Sequence, residues 1–371
     1  MIIILVIIVG GYACILAAGY VGFVIGKKYA PAIRAEKSIA VVVAVRDEEH
    51  EIRNLLNELD EQDVQAPFEV IIADDGSADR TLEIAGSYQP RRFSVQVIQS
   101  PGTGKKSALE AGVNSTGAEI ILFTDGDCRP ASSWISSHLD LFSDSRVVMT
   151  AGMVENDRQP TVLSLTLQTE MIFLQAMSAG FHGLGSPLMC NGANMAFRRN
   201  AFIEVNGYDG NVYVSGDDVQ LFQKITTRYP NGVRWNYTRA GFVTTRAASS
   251  VGEAITQRRR WLSKWGMFRS FAGTVTALVF LLVQLLFPAA IVLSAASGEW
   301  NNPLVYALLA RSGVELLFLS LTAPYFGQYQ VLPAFPVSVI LYNVIAIGSV
   351  IKLIFTPMKW KGREWRRGKL S

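Results

Sequence analysis

The residues best equipped for chemistry in this chain are acidic clusters between positions 74 and 218. Asp125-Gly126-Asp127 sets two carboxylates two positions apart with glycine between them. Oxygen ligands so spaced suit a hard divalent cation, magnesium or manganese, and glycine lets the backbone approach a ligand closely. An isolated Asp-x-Asp equally describes a solvated turn. Asp74-Asp75-Gly76-Ser77 places two adjacent carboxylates in a turn whose residue types also cap helices, a role that suits Asp79. Two carboxylates exceed what a cap needs, and one can accept a hydrogen bond from a heterocyclic N–H. Gly216-Asp217-Asp218 opens a helix-like stretch, where carboxylates complement the helix N-terminus. A carboxylate there also fits a general base that takes a hydroxyl proton, an effect of roughly 10²–10⁴-fold in rate.

Two basic elements accompany them. Gly102-x-Gly104-Lys105-Lys106 lacks the spacing of a nucleoside-triphosphate loop, yet Lys105 at a helix start can meet a diphosphate. Gln257-Arg258-Arg259-Arg260-Trp261 reads as a basic patch at a membrane surface. An arginine in it can also clamp a diphosphate, and the tryptophan face can frame a sugar or an apolar acceptor.

The elements that position these residues alternate. Ile39–Val45, Phe68–Ala73, Val95–Ile98 and Glu119–Thr124 read as strands, separated by helical stretches at 48–60, 79–88 and 105–115. Such alternation predicts a mostly parallel α/β sheet with ligands at the carboxyl ends of its strands, and two of those ends carry the acidic clusters.

The chain is 50% hydrophobic and only 18% charged, and the excess lies at its two ends. Residues 2–25 carry no charge and are long enough to cross a bilayer. Basic residues after them (Lys27, Lys28, Arg34 and Lys37) predict an uncleaved anchor, 1–26, with the 38–250 domain in the cytoplasm. Residues 161–178 predict a helix at the membrane interface or in a core. Residues 251–270 mix arginine and lysine with tryptophan and predict an interfacial amphipathic helix. Apolar segments follow at about 271–296, 303–323 and 332–356, then a basic tail, 357–371. Three crossings from a cytoplasmic domain would leave that tail outside, against the positive-inside tendency. The middle segment, with Arg311 and Glu315 four apart, is the first suspect for a re-entrant or protein-buried piece. A net charge of +3 gives no ground for nucleic-acid binding. Cys14, Cys128 and Cys190 have no pair spacing, against a disulfide framework or zinc site.

In this order the acidic pairs and the Gln-x-x-Arg-Trp element resemble the membrane-bound family 2 inverting glycosyltransferases, over about residues 38–265. That family has a GT-A, Rossmann-like fold beside transmembrane helices and includes cellulose, chitin and hyaluronan synthases, ceramide glucosyltransferases and carotenoid-lipid glycosyltransferases. The resemblance implies a UDP-sugar donor with Asp75, and Asp74 beside it, at the uracil. It puts Lys105 and Asp125 along the nucleotide and diphosphate, and Asp127 as the direct metal ligand with Asp125 nearby. Asp218 would be the catalytic base, next to Asp217. Gln257, Arg260 and Trp261 would bind the diphosphate and frame the acceptor site. Asn191-Gly192-Ala193-Asn194 would lie near the acceptor, with Gly192 and Asn194 lining it and Arg198 or Arg199 following. The chain departs from the pattern at Ala44-Val45-Arg46-Asp47-Glu48-Glu49, where relatives commonly show Pro and then Asn-Glu, and at Asp217, where they usually carry Glu.

The implied reaction is a single in-line displacement with inversion, in a multi-pass protein of the cell membrane. Its acceptor is either a lipid-like molecule from the bilayer or a growing glycan. Transfer of one sugar to a lipid competes with a processive synthase, which Gln-x-x-Arg-Trp favours and the small membrane region disfavours. A non-catalytic scaffold is a third alternative, disfavoured because every acidic position is present. A transporter is disfavoured by few, unrepeated segments.

Overall fold

The computed structural model describes residues 2–27, 37–210, 216–262, 271–300 and 302–356, and the backbone of 358–360, 363–366 and 369–370. Lys28, Arg34, residues 263–270 and the side chains of the basic tail lie outside the described residues. In chain order the elements begin with α1 (Ile2–Gly26), β1 (Ile39–Val45), α2 (Ile52–Asp60) and β2 (Phe68–Asp74). Then come α3 (Thr81–Gly86), β3 (Phe93–Gln99), α4 (Lys105–Asn114), β4 (Ile120–Asp125) and β5 (Cys128–Pro130). The middle of the chain holds α5 (Trp134–Leu141), β6 (Met149–Gly152), β7 (Val154–Asn156), α6 (Val162–Gly183), β8 (Met195–Arg198) and α7 (Arg199–Glu204). The rest comprises α8 (Asp217–Arg228), β9 (Val233–Asn236), β10 (Val243–Thr245), α9 (Val251–Leu262), α10 (Phe271–Ser297), α11 (Pro303–Phe326) and α12 (Val331–Phe355). Short strands at 358–360, 363–366 and 369–370 follow.

Two compact units result, one of residues 29–157, 189–246 and 356–371, the other of 1–28, 158–188 and 247–355. The expected domain 38–250 is therefore interrupted: residues 158–188 leave it for the helical unit.

The first unit is built on a seven-stranded sheet of order β3-β2-β1-β4-β8-β6-β9. The run IAVVVAV of β1 is apolar at every position and buried on both faces, as a central parallel strand requires. It pairs in parallel with β2 on one side and β4 on the other, so that Val45 lies opposite Asp74 and Ala44 opposite Asp125. The chain thus turns to opposite sides of β1 with β2 and β4, which opens a crevice at their carboxyl ends. Strand β8 runs antiparallel to β4 and β6. A smaller sheet, β5-β10-β7, joins the segment after β4 to the second half of the unit.

The helical unit contains four helices long and apolar enough to cross a membrane: α1, Gly273–Ser297 of α10, α11 and α12. Helices α1 and α11 run side by side in the same direction. Leu5 clusters with Leu304 and Ala307, the Tyr12 hydroxyl donates to Glu315 at 2.8 Å, and Phe23 packs edge-on against Tyr325. α10 lies against the same pair, with Phe280 against Tyr12 and Leu286 in the Leu5 cluster.

Of the two readings expected for the segment around Arg311, re-entrant or protein-buried, the second agrees with the structure: α11 is one uninterrupted helix of 24 residues in which Arg311 and Glu315 are buried. Its charges are neutralised in place. Arg311 Nε donates to Glu315 at 2.8 Å, and its remaining guanidinium nitrogens reach Val283 O and Gln284 Oε1. A buried pair so satisfied removes the cost of charge at that depth.

Of the two roles expected for it, helix α6 has the core one, buried along much of its length against α1, α11 and α12. Gly19 and Gly22 of α1 meet Gly180 and Gly183 of α6 so closely that a Cβ on any of them would collide, three of the four with the partner's backbone. Small residues at such a crossing let two helix backbones touch.

Candidate active site

The crevice at the carboxyl end of β1 is shaped first by its loops. The loops after β1 and β2 are stitched together: Asp47 Oδ1 accepts from Ala78 N, Thr81 Oγ1 from Glu48 N and Asp79 Oδ2 from Glu49 N. Asp79 also accepts from Thr81 N at 3.0 Å, in keeping with the capping role expected of it. Asp74, expected beside the nucleotide base, is spent on the turn. Its carboxylate accepts from the amides of Gly76 and Ser77 and from the Ser77 hydroxyl. Asp75 is differently placed. It is buried, accepts from Gly104 N at 2.6 Å, and lies 3.9 Å from the Arg46 guanidinium. This holds the start of α4, and with it Lys105, against the end of β2.

Lys105 Nζ donates to Asp125 Oδ1 at 2.5 Å. Burial alone would lower the lysine's pKa, but Asp125, Asp217 and Asp218 together raise it above the usual lysine range. Three carboxylates from two distant segments therefore face one ammonium group, and it stays charged at every physiological pH.

The Asp125, Asp127 and Cys128 side chains bring their ligand atoms within 4.8 Å of one another. Two carboxylates offering hard oxygen donors from one strand-end loop fit magnesium or manganese. Cys128 is a core residue whose thiol pKa is raised by burial and by Asp127 and Asp125.

Asp217 and Asp218 form the first turn of α8, after Gly216 in the left-handed region at φ 98°. Asp218 is buried. Its Oδ2 accepts from Gly192 N at 3.2 Å and its Oδ1 from Val219 N at 2.9 Å. A Cβ on Gly192 would sit 3.2 Å from Asp218 Cβ, so only glycine admits this approach without displacement. Gly192→Ala is expected to shift the Asp218 carboxylate and lower kcat by about 10- to 100-fold, with donor KM little changed; steady-state kinetics on the variant tests it.

Asn194, expected at the acceptor, is corrected to a structural crosslink. It is fully buried: Nδ2 donates to Met153 O and Gly241 O, and Oδ1 accepts from Trp134 Nε1 and His138 Nε2. Nothing remains for a substrate. Arg198 and Arg199 are likewise engaged, with Val147 O and Glu119 for the first and Val113 O for the second. His138 was not singled out by sequence, because its partners Thr150 and Asn194 lie on other elements. Burial pushes its pKa down to about 4, so the folded domain holds it neutral. The unfolded chain, at about 6.5, binds the extra proton first, so stability falls as pH drops from about 6.5 towards 4. Thermal melts across that window should fall by roughly 3 kcal/mol of this group's contribution, and less in His138→Gln.

Gln257, Arg260 and Trp261 lie on α9, in the helical unit. The residue between them that sequence reasoning passed over, Arg258, anchors that helix. Its guanidinium pairs with Glu170 of α6, stacks 4.8 Å from the Trp261 ring centroid and donates to Gln257 Oε1.

Residues 40–205 match the family model described as Glycosyl transferase family 2. Among curated proteins the chain is 29% identical over 119 residues to glycosyltransferase AglE of Haloferax volcanii, 32% of this chain and 39% of that protein. It is 34% identical over 93 residues to 4,4'-diaponeurosporenoate glycosyltransferase of Staphylococcus haemolyticus, 24% of each. The aligned stretches thus span well under half the length of these relatives. Among solved structures, a mannosyltransferase from Pyrobaculum calidifontis in complex with GDP-Man and Mn2+ superposes with a TM-score of 0.57 at 14% identity. That match covers 95% of this chain and 99% of the other, and it establishes the GT-A fold.

Proposed function

Residues 40–205 form a family 2 glycosyltransferase domain, and from that premise we propose that the chain transfers one sugar from a uridine-diphosphate sugar to a hydroxyl of a lipid-like acceptor, with inversion. The observation that carries this reading is the meeting of Lys105, Asp125, Asp217 and Asp218 at the crevice beside β1. A cation bounded by carboxylates is where a diphosphate leaving group and an attacking hydroxyl can be handled side by side.

In this reading Asp75 accepts an N–H of the base, and Lys105 donates to the diphosphate. Asp127 and Asp125 would hold magnesium or manganese, which when bound would supply positive charge to the departing diphosphate. Asp218, oriented by the Gly192 and Val219 amides, takes the proton from the acceptor hydroxyl as that oxygen attacks the anomeric carbon. The C–O bond to the diphosphate breaks as the new one forms, on the opposite face of the sugar. Gln257, Arg260 and Trp261 are assigned to the diphosphate and the acceptor. The lipid-like acceptor is supported by the four apolar helices and by the relative whose name specifies 4,4'-diaponeurosporenoate. In this reading the protein sits in the cell membrane with the family 2 domain in the cytoplasm.

The protein purified in lipid is to be offered uridine- and guanosine-diphosphate sugars, each with manganese, magnesium or chelator, and nucleotide release measured. Release from one uridine donor, abolished by chelator, is expected. Turnover of guanosine donors alone would overturn the uridine assignment, and full activity in chelator would overturn the metal assignment.

A further inference from the structure

After α7 the chain passes through Asn206, Gly207, Tyr208 and Asp209, and this loop is fixed from two sides. Tyr208 N donates to Glu110 Oε1 of α4 at 3.0 Å. Lys224 Nζ of α8 donates to the carbonyls of Gly207 and Asp209, at 2.8 and 2.9 Å. At Gly207, where φ is 42°, a Cβ would lie 2.8 Å from the Phe202 ring and 3.1 Å from Glu110 Oε1, so the backbone is held against both. The loop thereby ties α4, which begins at Lys105, to α8, which begins at Asp217 and Asp218.

The Tyr208 ring is as firmly set as its backbone. It is buried and meets Phe202 edge-on, with ring centroids 5.6 Å apart. Its hydroxyl is another matter. It is shielded from solvent, and among the described residues it has no hydrogen-bond partner. Phenylalanine would serve the packing equally well, and a buried hydroxyl left unbonded costs stability. Burial first, and then the nearby Asp217, Asp218, Cys190 and Glu110, raise the pKa of the phenol above its ordinary value. It is therefore a neutral donor at every physiological pH.

The two carboxylates in whose field it lies differ in what they can still accept. Asp218 is held by the Gly192 and Val219 amides. Asp217 is buried as well, yet among the described residues its carboxylate accepts no hydrogen bond and is balanced only through the fields of Lys105 and Lys106. An unspent donor on a fixed ring thus lies in the field of an unspent acceptor at the start of α8.

We propose that Tyr208 is a positioning residue of the active site, whose hydroxyl bonds the Asp217 carboxylate when a nucleoside diphosphate engages Lys105. On the glycosyltransfer reading above, on which this rests, the diphosphate draws the ammonium's charge to itself. Asp217 then loses part of the field that balances it, with a second anion beside it. The phenol supplies a hydrogen bond to that carboxylate without adding charge, and it steadies the first turn of α8, on which Asp218 stands. What the hydroxyl costs the ligand-free protein is returned in the loaded one.

Tyr208→Phe, Asp217→Ala and the double variant test this by thermal melts and by titration with uridine and guanosine diphosphates in the presence of manganese. Ligand-free Tyr208→Phe should melt at the parent's temperature or above it, because no bond is lost. Its affinity for the nucleotide that the parent binds should fall about 10-fold. In the Asp217→Ala background the same substitution should change that affinity by less than about 2-fold. A lower melting temperature for ligand-free Tyr208→Phe would overturn the proposal, as would equal affinity in that variant or equal losses in both backgrounds. A parent that binds neither nucleotide would overturn the glycosyltransfer reading itself. A parent that binds, beside a Tyr208→Phe variant that binds as well, would overturn the role of Tyr208 alone.

Discussion

Asp218→Asn is expected to lower kcat by roughly 10²–10⁴-fold while leaving donor KM within a few-fold of the parent. Asparagine has nearly the same size but only one acceptor oxygen, so it keeps one of the two amide bonds, from Gly192 N or Val219 N, and a modest loss of stability is expected beside the loss of rate. What it lacks is the ability to take a proton. Steady-state kinetics together with a thermal melt separates the two effects. Equal turnover in the variant would remove Asp218 as base, and a collapse of donor binding would make it a structural residue.

Lys105→Met is the second large effect. The ammonium lies against Asp125 and within the field of Asp217 and Asp218, so its removal takes away the cation bonded to Asp125 and weakens the positive field on the other two. In the proposed reading a diphosphate loses a positive side chain, and kcat/KM for the donor should fall by roughly 10²–10³-fold. Metal dependence should move the opposite way, since a positive neighbour of Asp125 is gone and its carboxylate attracts a divalent ion more strongly. A lower half-saturating manganese concentration with a much lower rate is the expected pair of results. An unchanged rate would mean that Lys105 serves only the fold.

How far these residues could be read beforehand depends on how local their causes are. The apolar run of β1 and the acidic ends of β2 and β4 declare a parallel sheet and the edge where it binds ligands, because strand burial and loop chemistry follow from adjacent residues. The meeting of Asp125 with Asp217 and Asp218 rests on family resemblance in the sequence and on folded geometry in the structure. The second half of the sheet, with β8 antiparallel between β4 and β6, was not legible, since its strands are only four residues long. Asn194 shows a different limit. Its neighbours in sequence are small residues that suit a pocket, while the groups that fill it, Trp134, His138, Met153 and Gly241, come from 41 to 60 residues away. Arg258 and Glu170 are 88 apart, so the anchor of α9 was hidden in the same way. The Arg311–Glu315 pair was visible from its i, i+4 spacing, and pairing lets α11 run unbroken.

The chemistry is tested most directly on the product of one donor and one acceptor in the purified, lipid-reconstituted protein. Mass and the anomeric proton coupling of the extracted product are to be measured beside the same reaction with Asp218→Asn. The account predicts one added sugar, linked with configuration opposite to that in the donor, and that product formed roughly 10²–10⁴-fold more slowly by the variant. A product of retained configuration would contradict direct displacement assisted by Asp218, and a polymer would replace single transfer with processive synthesis.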